Sequence, residues 1–137
     1  MDQKVLVAVK STLVVIEKSL REILREAGSE EGPKDWVLKV RHSDLPDEIR
    51  SDLVIKAKEM LNEIRELQSV FEIEKEGESV RAHLIGNLTQ VWVMLSELSR
   101  EKLQAYGQLT PRESGLLASH VDRMSEIREE MEKLVST

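Results

Sequence analysis

The apolar positions of the chain fall into four stripes at helical spacing, and polar or breaker residues separate them. The first stripe runs Leu6, Val9, Leu13, Ile16, Leu20, Ile23 and Ala27. The second runs Leu53, Ala57, Met60, Ile64, Leu67 and Phe71. The third uses Leu84, Leu88, Val91, Leu95 and Leu98, with Ile85, Trp92 and Tyr106 beside it. The fourth is Leu117, His120, Met124, Ile127, Met131 and Leu134. Steps of three and four place each set on one face of a helix. Gly28, Pro46, Gly77, Gly107 and Pro111 punctuate the stripes. The spacing predicts helices over 3–27, 46–74, 79–106 and 111–135, and hence a single all-α domain over 1–137. Its expected architecture is a four-helix, mainly antiparallel bundle.

Local signals sharpen the boundaries. Thr110-Pro111-Arg112-Glu113 has the spacing of a capping box with proline at the first helical position. Pro46, followed by Asp47 and Glu48, reads as the first helical residue of the second helix, with acids at the positive end of its dipole. Gly28 stands where a left-handed C-cap is expected. Val70, Phe71 and Ile73 alternate with polar residues, so the end of the second helix reads equally as a short strand. The 28–45 connection is long for a bundle. Within it, Asp35-Trp36-Val37-Leu38-Lys39-Val40-Arg41 alternates, which predicts a short strand or an extended cover.

Two helices carry apolar residues outside their stripes. The first adds Val7, Val14 and Val15, and the third adds Trp92, Val93 and Met94. A monomeric bundle leaves such residues as a patch larger than soluble monomers usually tolerate. These six residues are therefore the expected interface of a homodimer formed through the first and third helices. The rival expectation is that the long loop folds back over the patch. The second and fourth helices have charged outer faces instead, Glu59-Glu63-Glu66 and Glu126-Glu129-Glu130.

Composition narrows the function classes. The 137 residues carry 20 basic and 26 acidic side chains, a net charge of −6. Neither half forms a basic block, which argues against a dedicated nucleic-acid binder. There is no cysteine, which removes disulfides, thiolate metal sites and a cysteine nucleophile. No apolar run approaches the length of a membrane span. The apolar N-terminal stretch is broken by Lys10, Ser11 and Thr12, so a cytoplasmic location is expected, with no membrane partner.

Candidate chemistry is sparse. No Glu stands three residues before any of His42, His83 and His120, so the Glu-x-x-His pairs of di-iron bundles are missing. Glu63-x-x-Glu66 has no acidic mate of matching spacing on a later helix. No metal and no cofactor is expected. His120 falls on the fourth stripe, where a core position demands a hydrogen-bond partner such as Tyr106, Asn87 or a carbonyl. Gly86, Asn87, Thr89 and Gln90 interrupt the third helix. Gly86 costs about 1 kcal/mol against alanine there, which close packing or a ligand would offset. Asn87, Gln90, Tyr106 and His120 thus outline a polar pocket between the last two long helices. Lys34, Lys39, Arg41 and His42 make the long loop locally basic.

Residues 99–127 carry one resemblance. A helix, Gly107, Leu109-Thr110-Pro111 and then Leu117-Ala118-Ser119-His120-Val121-Asp122 resemble the helical hairpin of the small aspartyl-phosphate phosphatases that restrain sporulation. That family has Ser-Gln-x-Leu-Asp on its second helix, and the resemblance implies that Asp122 is the functional acid. Ala118-Ser119 stands where Ser-Gln is found there, and the turn is one residue longer. The reading that accounts for most of the chain is a non-enzymatic bundle acting through protein–protein contacts. Phosphotransfer or phosphatase signalling through His120 or Asp122, and small-ligand binding, are the alternatives.

Overall fold

The computed structural model describes residues 1–28 and 36–137. About three quarters of the described residues are helical, and none lies in a strand. The elements are α1 (Gln3–Gly28), α2 (Asp47–Val70), α3 (Val80–Ser96), the single turn α4 (Arg100–Leu103) and α5 (Pro111–Ser136). The chain divides into two compact units, 1–75 and 76–137. In the first α1 packs on α2, and in the second α3 packs on α5.

The first unit is an antiparallel helical hairpin. Leu20, Ala57 and Leu61 form its buried core, with Leu24 and Ile64 packed against them. Ala57 and the buried Ala27 let the helices come close, since an alanine adds little width to the seam. Arg50 closes the open end. Its Nε donates to the Ala27 carbonyl at 3.2 Å, satisfying one of the carbonyls that a helix C-terminus leaves without an intrahelical donor.

The second unit is also antiparallel. Arg128 of α5 donates to the Leu88 carbonyl of α3 at 3.4 Å, and Arg81 of α3 donates to the Thr137 carbonyl at 3.0 Å. Leu88 is buried and Leu95 half-buried on the α3 side. The α5 side of the seam is Leu117, Val121, Ser125, Arg128 and Val135, all half-buried.

Several boundaries differ from the pattern-based expectation, each for a local reason. The third helix does not reach residue 106. Ser96 donates to the Val93 carbonyl at 2.5 Å, and Glu97, Leu98 and Ser99 donate three residues back rather than four. This tightened turn ends α3, and Ser99 then caps α4 by accepting from the Lys102 backbone. Pro46 is the N-cap of α2 rather than its first residue. Past Phe71 there is no strand, because Glu72 adopts φ 53 and Ile73 N–H donates to the Gln68 carbonyl at 3.0 Å. That is the longer bond of a Schellman end, normally built on glycine. Glu72→Gly should therefore raise stability by about 0.5–1 kcal/mol, read as a higher urea midpoint.

The expected cap at Thr110 is present in both halves. Its hydroxyl accepts from Glu113 N–H at 3.2 Å, and its own N–H donates to the Glu113 carboxylate at 2.9 Å. Thr110→Ala should cost about 1 kcal/mol. The bonds from Thr110 hold the Glu113 carboxyl below its ordinary value of 4.5. A depressed acid stabilises the fold above its unfolded pKa and loses that contribution as pH falls through the folded value. Urea melts at pH 7 and pH 3 should show a smaller mutant deficit at pH 3.

The 28–45 connection is described from Trp36 onward, and Lys34 lies outside the described residues. Gly28 is not the expected left-handed cap: it is the last helical residue of α1 and its φ is not in the left-handed region. No strand forms over 36–46. The backbone doubles back so that Trp36 N–H donates to the Lys39 carbonyl at 2.9 Å. Val37 and Leu38 at the tip are 100% and 94% exposed, so this segment does not act as the expected apolar cover.

Candidate functional site

The polar pocket expected between the last two long helices is not assembled. Asn87 and Gln90 are exposed on α3. The bonds Leu88–Arg128 and Arg81–Thr137 fix the register, so Asn87 and Gln90 lie alongside residues near 127–130 of α5. His120 sits seven to ten positions away along α5, roughly 10–15 Å at 1.5 Å per residue. Tyr106, beyond α4, is 91% exposed.

His120 is exposed, not buried. The seam of the α3/α5 hairpin runs along the Leu117–Val121–Arg128 row, and His120 is about 100° around the helix from Val121. Its expected hydrogen-bond partners are therefore not needed, because water reaches the imidazole. Asp122 is also exposed, about 100° to the other side of Val121, so these two residues point away from each other and share no site. Gly86 has open space around it: a Cβ there would meet nothing within 4 Å.

Lys39 and Arg41 of the loop are engaged within their own hairpin. Lys39 Nζ lies 5.0 Å and the Arg41 guanidinium 5.7 Å from the centroid of the Trp36 ring. Arg41 also hydrogen-bonds Glu26 of α1. That bond holds the Glu26 carboxyl below, and the Arg41 guanidinium above, their ordinary values. The loop is thereby anchored to the end of α1. No group of three potential metal ligands is found among the described residues. A shallow depression beside Glu129, Glu132, Lys133 and Ser136 lies along α5 alone.

The more informative geometry is apolar. In both hairpins the seam occupies one flank of the sequence stripe and leaves the rest open. On α2, Leu53, Met60, Leu67 and Phe71 stay exposed, rotated about 40–80° from Ala57 at the seam. Ile16 and Ile23 of α1 are exposed on the same side. On α5, Met124, Ile127, Met131 and Leu134 are exposed, rotated from Val121 in the same sense. Leu84, Val91 and Met94 of α3 match them. In an antiparallel pair, residues rotated in the same sense emerge on one common side. Each hairpin therefore presents one continuous apolar face. Of the expected dimer contacts, Val7, Val15, Trp92, Val93 and Met94 are exposed and Val14 is half-buried.

No protein-family model, curated protein or solved structure matches the chain. Among the described residues, no helix is long and apolar enough to cross a membrane. Sequence reasoning passed over Arg50 and Arg128, whose side chains are only 20% and 15% exposed. The available signal was their position: each stands at seam spacing among small or apolar neighbours, where a free charge would be costly.

Proposed function

We propose that the protein is a non-enzymatic interaction module that works in the cytoplasm through helix faces and self-associates. The observation that carries this reading is the same-sided apolar face on both hairpins. Each face joins six or seven exposed Leu, Ile, Val, Met or Phe side chains, and apolar patches of several hundred Å² commonly mark interaction sites. Packing the two faces together completes a four-helix, mainly antiparallel bundle, with the sequence stripes at its centre. Val7, Val14 and Val15 of α1, and Trp92 and Val93 of α3, then remain as the contact for a second copy in a homodimer, with Met94 at the border between that contact and the bundle face. Light scattering of the full chain at micromolar concentration should give about 31 kDa, twice the 15.7 kDa of one chain. A mass of 15.7 kDa would overturn self-association.

A second reading rests on the exposure of His120 and Asp122. A phosphoryl group exchanges only with a side chain that reaches solvent, and both do. Incubation with a small-molecule phosphodonor, followed by intact-mass measurement of wild type and His120→Ala, separates this reading from the first. A phosphate on wild type alone would establish signalling chemistry at His120.

A further inference from the structure

We infer that the turn at residues 36–40 is a membrane-surface anchor, which seats its apolar tip in a lipid bilayer carrying anionic headgroups. The inference does not rest on self-association. It concerns a segment that belongs to neither helix seam.

The tip is built against the usual chemistry of turns. Only Val37 and Leu38 separate Trp36 from Lys39, whose carbonyl accepts from the Trp36 N–H at 2.9 Å. Such positions ordinarily go to Gly, Asn, Asp or Ser, which suit both the backbone and the water around it. Here Val37 and Leu38 are almost wholly exposed, and Val40 and Trp36 are exposed behind them. The turn is also braced. Arg41 is tied to Glu26 near the end of α1, and the Trp36 ring lies within reach of the Lys39 and Arg41 cations. The apolar side chains are thus presented outward and not folded onto the hairpin.

The occupant is set by the order of chemistry along the loop. Val37 and Leu38 stand at the outermost point of a tight turn, so an occupant has to close round them from all sides. Fluid acyl chains do that without a preformed pocket. Behind the tip comes a tryptophan, whose amphipathic ring favours the boundary between acyl chains and headgroups. Then come Lys39, Arg41 and His42, and no acidic residue occurs from 36 to 43. Apolar, aromatic, cationic is the same order as acyl chain, interface and anionic headgroup. Arg41 is already paired with Glu26, so the charge contact falls to Lys39, with the exposed His42 as a further donor. The net charge of −6 sits mostly on acids elsewhere in the chain, and salt screens charges beyond about 8 Å. The expectation of no membrane partner rested on the lack of a spanning segment. A loop that seats at the surface needs no span.

The test is flotation of the full-length protein with phosphatidylcholine vesicles, with and without about one third phosphatidylserine. The protein should float with the anionic vesicles. Leu38→Asp, at a side chain almost free of protein contacts, should abolish flotation with the helical circular dichroism unchanged. Lys39→Gln should weaken binding about fivefold, the worth of one cation at an anionic surface. In a Trp92→Phe protein Trp36 is the sole indole, and its emission should move to shorter wavelength on the anionic vesicles. Equal flotation of Leu38→Asp and wild type would overturn the loop as the anchor. Flotation with neither composition, or equally with both, would overturn the anionic bilayer as the occupant. A lower light-scattering mass for Leu38→Asp without vesicle binding would place the loop between copies of the chain, and would equally overturn the inference.

Discussion

Leu61→Ala should lower the stability of the protein by about 3 kcal/mol. Leu61 is 4% exposed and packs with Leu20 and Ala57 at the centre of the α1/α2 seam. Removing three carbons there forfeits their transfer free energy, and the cavity left between two helices adds to the loss. Ala57 cannot refill the space, and Leu20 is fixed by its own packing. The measurement is a urea denaturation curve followed by circular dichroism at 222 nm. A loss under 1 kcal/mol would mean that the seam collapses freely. The same substitution at Leu53, 39% exposed on α2, reads the neighbouring face. It should cost about 2 kcal/mol if a second hairpin covers that face, and well under 1 if water does.

Ile127→Asp should be nearly as damaging, at about 3 kcal/mol, although Ile127 is 40% exposed within its own hairpin. The expected loss follows from the proposed closure of the bundle: a carboxylate placed on a face that the other hairpin would cover is desolvated without a partner, and burying an unpaired charge is among the costliest single changes. Glu126→Ala, one position along on the charged outer face, should change stability by less than about 0.5 kcal/mol. Equal, small effects at the two positions would show that the α5 face stays wet and would remove the argument for a completed bundle.

The contrast between these positions follows from how much of the molecule is local. Thr110-Pro111-Arg112-Glu113 determines its own conformation, because both hydrogen bonds of the capping box close within four residues. The existence of four helical stripes is equally local, since periodicity at 3.6 residues needs no partner to be read. Where competing local chemistry was present, the pattern misled. Ser96 and Ser99 divert backbone carbonyls and amides into a tight turn and split the third stripe into α3 and α4. Glu72 takes a left-handed conformation usually left to glycine, so the alternation past Val70 ends as a cap and not a strand.

The sequence by itself determined the helical class, the main breaks and the starts of α3 and α5, because caps and stripes are written in neighbouring residues. It also determined which face of each helix is apolar. Only the tertiary structure decided which edge of that face becomes the seam. Leu117 and Val121 meet α3 while His120 and Met124 do not, and a stripe's centre cannot say where its partner docks. That choice turned His120 from an expected core residue into an exposed one and separated Asn87, Gln90, His120 and Tyr106. It also put Arg50 and Arg128 to use at helix seams. The reason is physical: a stripe about 100° wide leaves a docking angle free over tens of degrees. Long-range contacts such as Arg128 to Leu88, forty residues apart, fix that angle, and no local periodicity encodes them.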